Sequence, residues 1–141
     1  MSLDSEPPSS LAATVDRVMA VAHLAPAAHV AVIGHRTLPF VLALLGRGCS
    51  AVRSLRLGAP APDCEPADLS WIVGLEDERE LDEALRAARW RAGGHGRVVL
   101  EGSSCRRPGI LAAVRERALA AGLDIVSFDH IARRLVLAPT T

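Results

Sequence analysis

Reactive side chains in this 141-residue chain come from a short menu, because Lys, Tyr, Asn and Gln are absent. That excludes a lysine nucleophile or Schiff base, a phosphate-loop lysine, a tyrosine acid and a side-chain amide that reads adenine. What remains gathers in three short polar segments, each placed directly after an apolar run. The first is Gly34-His35-Arg36. The second is Gly74-Leu75-Glu76-Asp77. The third is Gly102-Ser103-Ser104-Cys105-Arg106-Arg107. His35 with Glu76 and Asp77 has the composition of a general acid/base group or a partial metal shell. Three solvated loop residues is the plainer alternative, and Cys105 lacks the spacing of a further ligand, so no metal site is expected. In the third segment, Ser103, Ser104 and Arg106 precede a helix start, where free N–H groups, hydroxyls and guanidinium can hold an anion. A serine cap with exposed arginines explains the same residues.

These segments need elements to hold them. Residues 11–25 carry apolar side chains at helical spacing, with Ser9, Ser10 and Thr14 as cap candidates and Pro26 as a stop. The run His29-Val-Ala-Val-Ile-Gly34 reads as a strand buried on both faces. Residues 37–47 predict a helix, with Thr37 as its cap. In the strand predicted over 51–57, Arg53, Ser54 and Arg56 are poor material for burial on both sides. That places it at a sheet edge. Residues 58–66 are too rich in proline for a helix. A strand over 68–74, a helix over 78–90 with acids first and arginines last, and a strand over 97–101 follow. A helix over 108–121, stopped by Gly122, leads into two strands, 123–128 and 134–138, whose tight link makes them antiparallel. Trp71 in its strand and Trp90 on its helix both read as packing residues. So do His23, His29 and His130 read as structural or surface groups.

Alternating strands and helices give an α/β fold, a Rossmann-like three-layer sandwich with a mostly parallel sheet and a terminal antiparallel hairpin. One domain over 11–141 follows a flexible tail, 1–10. Ligands of such sheets bind beyond the carboxyl ends of the strands, where the strand order reverses, and the three polar segments all fall on that rim.

The pattern resembles the class I S-adenosylmethionine-dependent methyltransferases in shortened, degenerate form. His29-Val-Ala-Val-Ile-Gly34 looks like that family's first strand and glycine loop. Ala67-Asp-Leu-Ser-Trp-Ile-Val-Gly-Leu-Glu-Asp77 resembles its central strand and acidic loop, and Arg91-Ala-Gly-Gly-His-Gly-Arg-Val-Val-Leu-Glu-Gly102 its glycine turn and next strand. The resemblance implies a crevice for S-adenosylmethionine lined by Gly34, His35, Arg36, Arg56, Gly74 and Glu76. It also exposes departures. Of three spaced glycines only Gly34 remains, since Arg36 and Leu38 fill the next two places. Val32 stands where an acid is usual in the first strand. Arg56 stands where an acid would hold the ribose hydroxyls, and the family's third strand has no counterpart. Arginine cannot accept a hydrogen bond from a hydroxyl, although at such a strand end it can accommodate a 2′-phosphate.

The resemblance therefore implies lost or weakened cofactor binding and a binding or dimerising module. The alternative is an active methyltransferase, or another nucleotide-binding enzyme, with an altered loop. The two differ at one place. The first expects Arg36, Leu38 and Arg56 to fill the crevice; the second expects an open pocket between the Gly34 and Gly74 loops. A third option is a protein partner of a larger, intact methyltransferase.

Charge bears on partners. Sixteen basic residues, all Arg, balance sixteen acids, which argues against nucleic acid or a membrane surface as a target. The balance hides segregation. Residues 63–83 hold nine acids against Arg79, a net of −8, and residues 84–117 hold eight arginines against Glu101 and Glu116, a net of +6. Such blocks favour a homodimer, or else pairing within the chain. Cys49, Cys64 and Cys105 form no disulfide framework, and the acidic, Pro/Ser-rich start is unlike a secretory signal, so a cytoplasmic setting is expected.

Overall fold

The computed structural model describes residues 6–25, 27–58, 65–107 and 109–140, with the backbone alone for 6–10. Eleven elements follow one another: α1 (Glu6–Val21), β1 (His29–Gly34), α2 (Leu38–Gly46), β2 (Ala51–Leu55), β3 (Leu69–Val73), α3 (Glu78–Ala92), β4 (Arg97–Glu101), a 3₁₀ turn (Gly102–Ser104), α4 (Gly109–Ala121), β5 (Leu123–Asp129) and β6 (Arg134–Pro139). The strands form one sheet in the order β2-β1-β3-β4-β6-β5. Only β6 runs antiparallel to its neighbours, β4 and β5.

Alternation along each central strand builds the two faces of the core. Ala31, Ile33, Ile72, Val98 and Leu100 face one way, onto Leu81, Ala84, Leu85 and Ala88 of α3 and Ile110, Val114 and Ala118 of α4. Val30, Val32, Leu69, Trp71, Val73 and Val99 face the other way, onto Val15 and Val18 of α1 and Leu44 of α2. Trp71 is fully buried and takes Phe40 edge-on at 5.0 Å between ring centres. Burial on both faces is why these strands are near-continuous apolar runs, with Ser70 the polar residue inside β3. β2 lies at the edge, with Arg53 and Ser54 exposed.

Several boundaries and roles differ from those expected. α1 starts at Glu6 and ends at Val21, so Ser9, Ser10 and Thr14 lie inside it and residues 6–10 belong to a helix. A proline is tolerated in a first turn because its missing N–H has no helical partner there. Pro26, Cys64 and the tail's residues 1–5 lie outside the described residues. Thr37 precedes α2 but makes no side-chain cap; its hydroxyl bonds the Ser54 hydroxyl of β2 instead. Trp90 is 67% exposed, because the inward face of α3 is set by Leu81, Ala84, Leu85 and Ala88. Among the described residues no helix is long and apolar enough to cross a membrane.

Candidate functional site

The strand order reverses between β1 and β3. The chain leaves β1 for β2 on one side and returns through β3 on the other. The carboxyl ends of these two strands therefore define the place where an α/β sheet offers a crevice. Here the two exits are in backbone contact. The His35 N–H reaches the Val73 carbonyl at 3.3 Å. A Cβ on Gly34 would stand 1.8 Å from the Val73 oxygen, and one on Gly74 only 2.3 Å from the His35 oxygen. Both positions need glycine for space, and their φ values of +135° and +68° need it again.

The close approach aims His35. Arg36 behind it adopts φ +55°, a left-handed conformation that turns the chain sharply towards α2. The His35 Nε2 then lies 2.7 Å from Oε2 of Glu80, in the first turn of α3. The other oxygen of Glu80 accepts the Glu76 N–H at 2.8 Å. Donor atoms of His35, Glu76 and Glu80 all lie within 4.8 Å of one another. Asp77 is placed apart from this group: it caps α3, its carboxylate accepting the Glu80 N–H at 2.9 Å. Sequence reasoning found His35 and Glu76 but took Asp77 for the third member. The signal for Glu80 was its place in the first turn of the helix, three residues after Asp77, whereas an acid directly before that turn is placed to cap.

The third polar segment turns inward. Ser103 donates to the Glu101 carboxylate at 3.1 Å. Ser104 donates to the Glu101 carbonyl at 2.6 Å and accepts the Gly74 N–H at 2.9 Å, tying the β3 exit to the β4 exit. Each hydroxyl thus directs its single proton into the protein rather than to an anion, and Arg106 stands exposed beside them. The Cys105 thiol lies against the Glu101 carbonyl. Burial pushes its pKa up, partly offset by hydrogen bonds from its surroundings, so it is a protonated packing group at neutral pH.

Beneath the rim lies a network that the sequence did not announce. Glu101, 3% exposed, meets Arg134, 5% exposed, through two hydrogen bonds of 2.8 and 3.1 Å. The Trp71 indole N–H donates to the same carboxylate at 3.2 Å. With the Ser103 bond added, the buried carboxylate is fully occupied, as a buried charge must be. Register explains the pairing, since Glu101 of β4 and Arg134 of β6 are opposite residues in an antiparallel ladder.

Arg36, Leu38 and Arg56, expected to fill a crevice, are instead exposed. Part of the acidic block is neutralised within the chain: Arg117 of α4 bonds Glu78 at 2.7 Å and also Asp82, and Arg53 bonds Glu65 at 2.8 Å.

No protein-family model matches the chain, and no curated protein matches it. Solved structures do. A ribosomal protein L11 methylase from Lactobacillus delbrueckii subsp. bulgaricus is 12% identical with a TM-score of 0.69, over 100% of this chain and 82% of that one. The CcbJ methyltransferase from Streptomyces caelestis is 13% identical with a TM-score of 0.65, over 99% of both chains. DesVI from Streptomyces venezuelae is 12% identical with a TM-score of 0.66, over 93% of this chain and 92% of that one. The chain has the Rossmann-like fold of the class I methyltransferases.

Proposed function

We propose that this chain is a methyltransferase-fold module with a degenerate cofactor site, which does not transfer methyl groups and acts by binding, as a homodimer. The observation that carries this reading is the junction between β1 and β3. The 2.7 Å His35–Glu80 bond links the segments that follow β1 and β3, at the place where a cofactor would sit beyond such a sheet. Arg36, Leu38 and Arg56 add nothing that could replace the glycines and the acid implied by the family resemblance. A guanidinium has five donors and no acceptor for a ribose hydroxyl. S-adenosylmethionine would have to bind beside the His35–Glu80 bond without its usual acceptors.

The binding half of the reading rests on α2. Leu38, Leu42 and Leu45 are 64%, 57% and 46% exposed, and their spacing of four and three residues puts them on one stripe. An apolar stripe on a helix that already packs its other side is the kind of surface a second copy covers. Calorimetric titration with S-adenosylmethionine and with S-adenosylhomocysteine tests the first half, and no low-micromolar binding is expected. Light scattering tests the second half, with a dimer mass expected. Tight binding of either compound sinks the degenerate site; a monomer at every accessible concentration sinks the dimer.

A further inference from the structure

We propose that His35, Glu76 and Glu80 bind one divalent transition-metal ion of the zinc or manganese class. The three donors sit within 4.8 Å of one another. Ligands of zinc stand about 2.0–2.2 Å from the ion, so neighbouring donors lie roughly 3–4 Å apart. The cluster meets that spacing after side-chain adjustments on the order of 1 Å, with the His35–Glu80 bond opening as the ion enters between its partners.

Two of the donors are held from behind. The His35 backbone is pinned to Val73 and followed by the left-handed Arg36. One oxygen of Glu80 is anchored on the Glu76 N–H, which leaves the other aimed at the imidazole. Such an outer hydrogen bond orients a carboxylate ligand. Glu76 is exposed and free to swing over the ion as its third ligand. One imidazole with two carboxylates is a mixed nitrogen–oxygen set, suited to zinc, manganese or ferrous iron more than to magnesium or calcium. The two carboxylates balance the ion's charge. The start of α3 opposes a cation through its dipole, and Asp77 and Glu78 beside it offset that effect. Because Glu76 and His35 border solvent, the remaining coordination positions stay open to water or to an anionic ligand. The cluster shares His35 and Glu76 with the crevice that the family resemblance implies, but metal titration without S-adenosylmethionine reads the ion site separately from cofactor binding.

The test takes the full chain, stripped with chelator. It is titrated with ZnCl2 and MnCl2 by calorimetry, and with CoCl2 by visible absorption. One ion per chain is expected, with cobalt d–d bands that disappear in His35→Ala. In Glu76→Gln and Glu80→Gln the affinity should fall about tenfold or more. Glu76→Gln alters an exposed side chain and keeps the test valid if His35→Ala unfolds. His95→Ala, remote from the cluster at the other end of the sheet, should bind as the parent does. Absence of binding in the parent overturns the site, and so does binding that is unchanged in His35→Ala or Glu76→Gln.

Discussion

The Nε2 of His35 and the Oε2 of Glu80 stand 2.7 Å apart and join two turns 45 residues distant in sequence. Both side chains are partly exposed, so solvent screens the pair and its contribution to stability is about 1 kcal/mol at most. Its effect is local. Glu80→Ala also frees the Glu76 N–H, which Glu80 holds at 2.8 Å, while the Asp77 cap on the Glu80 N–H remains. Amide exchange at Glu76 should therefore accelerate in Glu80→Ala with little change in global stability. Unchanged exchange at Glu76 would show that the bond is not formed in solution.

Gly34→Ala and Gly74→Ala should each cost about 2–4 kcal/mol, since both combine steric overlap with an unfavourable φ. The added methyl at Gly34 would overlap the Val73 oxygen, and that at Gly74 the His35 oxygen. Neither neighbour is a flexible side chain that could yield. Gly46, at the end of α2, has nothing within 4 Å of an added Cβ. Gly46→Ala should be neutral or stabilising by up to about 1 kcal/mol. Urea unfolding of the three variants decides this, and near-parental stability of Gly34→Ala would mean that the two turns are not in contact.

Strands β1, β3 and β4 were legible because burial on both faces makes them apolar runs closed by glycine or a charged residue. The edge position of β2 was legible for the opposite reason: Arg53 and Arg56 are poor material for a strand buried on both faces. The expected lack of a counterpart to the family's third strand was read from residues 58–66, which hold no apolar run; residues 59–64 lie outside the described residues. The site was legible only by halves. His35 and Glu76 could be placed on the carboxyl rim, but the choice between Asp77 and Glu80 depends on which acid caps α3. The Glu101–Arg134 pair was hidden, because it depends on the register of β6 against β4, which pattern alone does not fix. The exposure of Trp90 was likewise a matter of helix rotation. The sequence pattern cannot distinguish a large apolar residue facing the core from one just past its border.

Removing one member of the Glu101–Arg134 pair should be among the costliest single changes in the molecule. Both side chains are buried, and Arg134→Met leaves the carboxylate with only Trp71 and Ser103 as donors. A loss of about 3–5 kcal/mol is expected, as for an uncompensated buried charge. The double variant Glu101→Leu/Arg134→Met should recover much of that loss, because it leaves no charge stranded. Denaturant unfolding of both variants provides the check. A loss under about 1 kcal/mol in Arg134→Met would show that water reaches the pair.

Leu42→Glu places a charge in the middle of the α2 stripe without touching the core, where Leu44 is the buried leucine of that helix. Stability should stay within about 0.5 kcal/mol of the parent. Self-association should weaken at least tenfold, read by sedimentation across a concentration series. Leu44→Glu should unfold the protein instead. A dimer that tolerates Leu42→Glu would move the interface away from α2.

Asp129 gives the β5–β6 turn a dependence on pH whose sign is fixed by its hydrogen bonds. Its carboxylate accepts the Ala132 N–H at 3.1 Å and the Ile131 N–H at 3.0 Å. The Ala132 bond is the foremost cause of a lowered pKa. Desolvation works against it, while the Ile131 bond and the charges of Arg134 and Arg17 reinforce it. A depressed folded-state pKa means that the unfolded chain takes up the proton first. The stabilising effect is thus complete above the unfolded value of about 3.9 and fades as pH falls through the folded value below it. The melting temperature of Asp129→Ala should therefore lie below the parent's by a constant gap from about pH 7 to about pH 5, and the gap should close on further acidification. A gap that persists unchanged to about pH 2 would mean that the ionised carboxylate contributes nothing to the turn.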